Sequence, residues 1–187
     1  MEFKHSPESL QRLYHAANGR TYAEFMATYR SSDAMGPEGS RLLEIALGRE
    51  PEVRVAMASR LLDDGANPAI KGEDGLTVLH VLVDGHHHDF DAESPLLRRL
   101  LDGGADVNAG YKKHGTPLET IASLFKYDET QLAPFYDVFV ARPDLDPLKI
   151  SAYGHTVLSN IRRWDRPVLA GRLEEYLRER GIDVPAP

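Results

Sequence analysis

Apolar residues fall in short stripes at helical spacing along most of the chain. Leu10, Leu13, Tyr14 and Ala17 form one stripe. Asn18-Gly19 interrupts it, and Tyr22, Phe25, Met26 and Tyr29 resume it. Leu61, Leu62, Leu97, Leu100 and Leu101, beside small residues such as Ala58, read as packing faces. Near the end, Leu169, Leu173, Tyr176 and Leu177 face one way and Arg172, Glu175, Arg178 and Glu179 the other. The spacing therefore predicts helices over about 7 to 17 and 169 to 180, and an all-α chain.

Two phrases recur between these stripes. Gly75-Leu76-Thr77-Val78-Leu79-His80, Gly115-Thr116-Pro117-Leu118-Glu119 and Gly154-His155-Thr156-Val157-Leu158 share one form, with a weaker copy from Gly39 to Ala46. Taking Leu43, Leu79, Leu118 and Leu158 as equivalent gives steps of 36, 39 and 40. The second phrase runs Leu61-Leu62-Asp63-Asp64-Gly65-Ala66-Asn67-Pro68 and Leu100-Leu101-Asp102-Gly103-Gly104-Ala105-Asp106-Val107-Asn108. Looser copies occur at Arg142 to Asp146 and Gly181 to Pro185, so that Asn67, Asp106, Asp144 and Asp183 step by 39, 38 and 39. A shared period near 39 is the mark of a repeat protein.

Each phrase has a mechanical sense. A threonine hydroxyl can accept from an orphan amide of a first helical turn, and Pro117 stands where a proline is preorganised for a helix. Gly65, Gly104 and Gly181 follow the second helices, where a left-handed residue satisfies the last carbonyls. Pro143 ends the helix in the third copy. Each unit then reads as two antiparallel helices and an extended connection.

On these residues the chain resembles the ankyrin-repeat family, from about residue 36 to 184 and best from Leu61 to Ala122. It departs from the family in its longer unit, with the extra residues expected between paired helices, at 85 to 95 and 126 to 134. The resemblance implies a single-domain helical solenoid of about five helix pairs. Residues 1–35 form a degenerate N-terminal capping unit, 36–74, 75–113 and 114–151 the repeats, and 152–187 a C-terminal cap with a polar outer face. It also implies that His80 bonds backbone across units, and that hairpin tips and first helices line a concave binding surface. The tips are 70 to 74, 110 to 114 and 149 to 153. Lys71, Tyr111, Lys112, Lys113, His114, Lys149, Tyr153 and His155 are accordingly the expected partner-binding residues, and they include four of the six lysines.

Composition narrows the classes of function. The chain has no cysteine, which excludes disulfides, thiolate zinc sites and cysteine nucleophiles and fits a reducing cytoplasm. Its N-terminus has no apolar leader and no later segment approaches the roughly 18 apolar residues of a membrane span, so neither secretion nor membrane insertion is expected. A net charge of −7 argues against general nucleic-acid binding.

Catalytic chemistry finds no anchor in the sequence. Ser6, Ser40, Asp74, Asp128 and His155 are plausible singly, but no nucleophile elbow, phosphate loop or His-Glu-x-x-His helix unites them. The run from His86 to Glu93 is the most unusual local composition: imidazoles with carboxylates bind zinc, nickel or copper. Consecutive side chains converge on one ion only if the loop folds to make them, and a solvated inter-helix loop is the alternative. The expectation is a monomeric, non-catalytic module that uses no cofactor and binds a protein, as an adaptor or an inhibitor. A metal-binding or metal-sensing role for His86, His87, His88 and Asp89 is the alternative.

Overall fold

In the computed structural model, which describes residues 6–19, 21–112 and 114–186, caps and left-handed glycines delimit ten α-helices. They are α1 (Pro7–Ala17), α2 (Tyr22–Met26), α3 (Gly36–Leu47), α4 (Pro51–Asp63), α5 (Val78–Val83), α6 (Phe90–Asp102), α7 (Pro117–Ala122), α8 (Glu129–Val140), α9 (Val157–Arg163) and α10 (Pro167–Glu179). Thr116 and Thr156 cap α7 and α9 by accepting from the Glu119 and Ser159 amides. Gly65, Gly104 and Gly181 adopt φ of 95°, 97° and 67° after α4, α6 and α10. The remaining described backbone contains no strand, only isolated antiparallel bridges at Lys71–Thr77, Tyr111–Gly115 and Ile150–Thr156.

The helices pair as α1/α2, α3/α4, α5/α6, α7/α8 and α9/α10, and stack in two layers. The first helices α3, α5, α7 and α9 adjoin in chain order, and so do the second helices α4, α6, α8 and α10. Among the described residues, helix contacts reach only the adjoining pair. One continuous core runs between the layers, from Leu13 to Leu177. The first helices α5 and α7, of six residues each, are too short to persist alone in water. Burial sustains them: every residue of α7 is buried.

Three details of the repeat differ from the sequence reading. The turn glycine of the first copy is Gly36, not Gly39: φ is positive at Gly36, Gly75, Gly115 and Gly154, at intervals of 39, 40 and 39. Gly39 lies inside α3, where an added Cβ would stand 1.7 Å from the Ala34 carbonyl oxygen, so its smallness serves a close backbone approach. In the second phrase, the side chains of Asn67, Asp106 and Asp146 accept from the amide two residues on, which makes Asp146 rather than Asp144 the equivalent position. The inter-helix insertions are also shorter than expected. Asp89 and Asp128 cap α6 and α8, so helix begins at Phe90 and Glu129 and includes Pro95 and Pro134. Pro95 leaves the Asp91 carbonyl without a backbone donor, and the Ser94 hydroxyl donates to it instead.

Buried polar ties cross the junctions between units. The His80 ring, 1 % exposed, accepts at Nδ1 from the Thr77 amide and bonds the Gly115 carbonyl through Nε2 at 3.1 Å. Asn160 donates to Glu119 Oε1 at 2.7 Å, and Glu119 Oε2 accepts from the Thr116 amide and hydroxyl. Arg166 donates to the carbonyls of Ala122, Leu124 and Tyr127. Arg54 meets Glu93 at 2.6 Å, with side chains 2 % and 0 % exposed.

Burial pulls the His80 pKa below its ordinary value, against the carbonyl of Gly115, which raises it. The folded state therefore holds the ring neutral where an unfolded one begins to charge, near pH 6.5. Its stabilisation is fully present above that pH and is lost as pH falls toward the folded pKa. Equilibrium unfolding of wild type and His80→Gln at pH 7.5 and 5.0 is expected to give a stability difference that shrinks in acid. A difference that is constant, or larger at pH 5.0, would contradict this assignment.

Candidate binding surface

The three connections between units project as hairpins at one edge of the first-helix layer, because a positive-φ glycine closes each turn. Gly72 donates to the Leu76 carbonyl in the first, Tyr111 and Gly115 exchange both bonds in the second, and Ser151 donates to the His155 carbonyl in the third. Neighbouring hairpins are tied through Asn108, whose side chain donates to the Asp144 carbonyl at 2.6 Å and accepts from the Asp146 amide. An array of tied turns holds its side chains at fixed spacing without a continuous sheet.

The expected binding residues fall into distinct settings. Lys71, Lys112, Tyr153 and His155 are exposed, and His114 is half-buried against the Tyr111 ring at 5.6 Å. Lys149 is half-buried and donates to the Asn108 carbonyl at 2.6 Å, so it braces adjoining hairpins as well as charging the edge. Lys113 lies outside the described residues. Tyr111 does not belong to an exposed set: it is 9 % exposed, with its ring edge-on to His80 at 5.4 Å. The second hairpin, bridged from Tyr111 to Gly115, is shorter than those bridged from Lys71 to Thr77 and from Ile150 to Thr156. The tighter turn carries the tyrosine inward.

Apolar side chains missing from the sequence reading complete the surface. Ile150 is 63 % exposed at the third tip. The Tyr153 ring lies 5.4 Å from half-buried Trp164 and has an atom 2.9 Å from where a Gly115 Cβ would lie. Phe125, 66 % exposed, lies in the connection after α7, and the Arg166 guanidinium lies 5.3 Å from its ring centre. Burial raises the Tyr153 phenol pKa, so it stays protonated and can donate at neutral pH.

The His86 to Asp89 run does not converge on one point. The His86 carbonyl accepts from Lys126, exposed His87 meets Glu50 at 3.1 Å, and Asp89 caps α6 through the Ala92 amide. The His88 side chain is fully buried, bonded at Nδ1 to Glu93 Oε2 at 2.7 Å and stacked on Phe90 at 4.8 Å. Part of the expected solvated loop is therefore an anchored joint between units. Among the described residues no three His, Asp or Glu side chains are grouped to hold a metal ion. An open cleft of about 930 Å³ lies beside α1 and α2, and Glu8, Arg12, His15 and Glu24 line it with charges of both signs.

No protein-family model matches the chain, and no curated protein does. Among solved structures, the chain is similar to the crystal structure of a functionally unknown protein from Leptotrichia buccalis C-1013-b. The two align with a TM-score of 0.71 at 22 % identity, over 94 % of this chain and 100 % of that one. The likeness establishes a shared helical fold. No helix among the described residues is long and apolar enough to cross a membrane.

Proposed function

We propose that the chain is an ankyrin-type array that binds a protein partner, without catalysis, through its hairpin tips and first-helix layer. The observation that carries this reading is the set of exposed apolar side chains there: Ile70 and Ile150 on the first and third hairpins, Phe125 after α7, and Tyr153 beside half-buried Trp164. Exposed aromatics on a rigid support give contact area at low entropic cost and are common binding hot spots. The last helix contributes support from the other side. Glu175, Arg178 and Glu179 give α10 an exposed polar face, and a monomeric module is consistent with that. Function rests on the site and not on the fold alone.

The test is comparative co-purification from the native source with wild type, Ile150→Glu/Tyr153→Ala, and Glu175→Lys/Glu179→Lys as an outer-face control. The partner retained by wild type and by the control is expected to drop at least tenfold with the edge variant. Equal retention by all three proteins, with unchanged unfolding curves, would reject the edge as the binding face.

A further inference from the structure

We infer that the partner segment is acidic, with carboxylates flanking an aliphatic or aromatic anchor, and that it lies across the second and third hairpins; this rests on reading that edge as the binding face. The argument is one of unmatched charge. In the second-helix layer most arginines are neutralised within the chain: Arg99 by Asp63, Arg142 by Asp102 and Asp144, Arg172 by Asp137, and Arg178 by Glu174 and Glu175, with exposed Arg98 and Arg180 as the exceptions. The edge is different. Residues 107–127 contain one carboxylate, Glu119, which is fully buried and turned to Thr116 and Asn160, and residues 147–164 contain none.

Arg162 turns away to Glu174 at 2.8 Å, and the other cations described in these two stretches meet neutral groups or none. Lys126 donates to the His86 carbonyl and lies over the Tyr127 ring, Lys149 donates to the Asn108 carbonyl, and Arg163 meets the His155 ring at 2.8 Å. Exposed Lys112 and Arg163 have no carboxylate within ion-pair distance among the described residues; the exposed carboxylates of Asp106, Asp144 and Asp146 stand at the hairpin bases. The first hairpin does not share the property, since Glu73 and Asp74 accompany Lys71 in one turn. A chain of net charge −7 thus carries two carboxylate-poor, cation-bearing stretches beside its exposed Ile150 and Tyr153. Such a juxtaposition attracts an acidic segment over distance and then seats an apolar side chain. A nucleic acid is a poorer match, because phosphate binding needs a larger cation set and meets repulsion from the rest of the chain.

The test selects a phage library of random 16-residue peptides against the full-length chain at 0.1 M salt. Enriched peptides are then titrated against wild type, Lys112→Glu/Arg163→Glu and Ile150→Ala/Tyr153→Ala, with polyuridine RNA in parallel. The expected result is an acidic consensus around an aliphatic or aromatic residue. Both double variants should weaken binding at least tenfold, and raising salt to 0.5 M should weaken it as well. A neutral or basic consensus sensitive only to Ile150→Ala/Tyr153→Ala would overturn the acidic partner and leave the binding edge standing. Peptides indifferent to both variants, or no enrichment at all, would count against both readings. Polyuridine binding that Lys112→Glu/Arg163→Glu abolishes would overturn the acidic partner in favour of a nucleic acid.

Discussion

Replacing Glu93 with leucine is expected to destabilise the protein by about 3–5 kcal/mol, the usual cost of removing one partner from a buried ion pair. Glu93 serves two residues at once. Its Oε1 accepts from Arg54 at 2.6 Å and its Oε2 faces His88 Nδ1 at 2.7 Å, with all three side chains at 2 % exposure or less. Burial pulls the Arg54 pKa down, and Glu93 is the leading influence holding it up. Without the carboxylate the guanidinium keeps the His87 carbonyl, a weaker partner at 3.2 Å. For a chain of this size the loss corresponds to roughly 6–20 °C in Tm. The double variant Arg54→Met/Glu93→Leu removes both charges and is expected to recover most of that loss, since an apolar pair of similar volume often does as well. A double variant no more stable than Glu93→Leu would show that the pair is not what joins α4 to α6.

Gly75→Ala carries the second large effect. Its φ of 93° suits glycine, and a Cβ there would meet the Gly110 carbonyl oxygen at 2.0 Å. The contact is with backbone of the next hairpin, so no rotamer change relieves it. Backbone strain of about 1–3 kcal/mol adds to the cost of separating the hairpins, for an expected loss of about 3 kcal/mol or more. Gly171→Ala in α10 is the matched control. Nothing lies within 4 Å of its added Cβ, and removing a mid-helix glycine should gain about 0.5–1 kcal/mol. Urea midpoints read both effects. A neutral Gly75→Ala would mean that the first two hairpins are not in contact.

The backbone punctuation was the most legible part of the fold, because a turn or cap constrains residue type directly. Gly65, Gly104 and Gly181 take the positive φ that their phrase implies, and Thr116 and Thr156 cap the helices they precede. Helix onset near aspartates is less legible: the expected insertions run to 95 and 134, whereas Asp89 and Asp128 already cap α6 and α8. Chemistry that varies between units stayed hidden for a different reason. Arg54 and Glu93 stand 39 residues apart, but a repeat reveals itself by identity and this pair works through difference. At the edge, residue type indicated which lysines stand near hairpin tips. Tyr111 holds the bridge position that Lys71 and Ile150 hold in the other hairpins, yet in the shorter turn it is buried against His80, and a difference of that kind shows only in three dimensions.

The most direct test of the binding edge is photo-crosslinking in the cells that make the protein. A benzophenone amino acid is placed at exposed Ile150 in one sample and at exposed Glu175 on the outer helix in another. Covalent adducts to a discrete protein from position 150, with none from position 175, are the predicted result. Adducts from position 175 with none from position 150 would contradict the account.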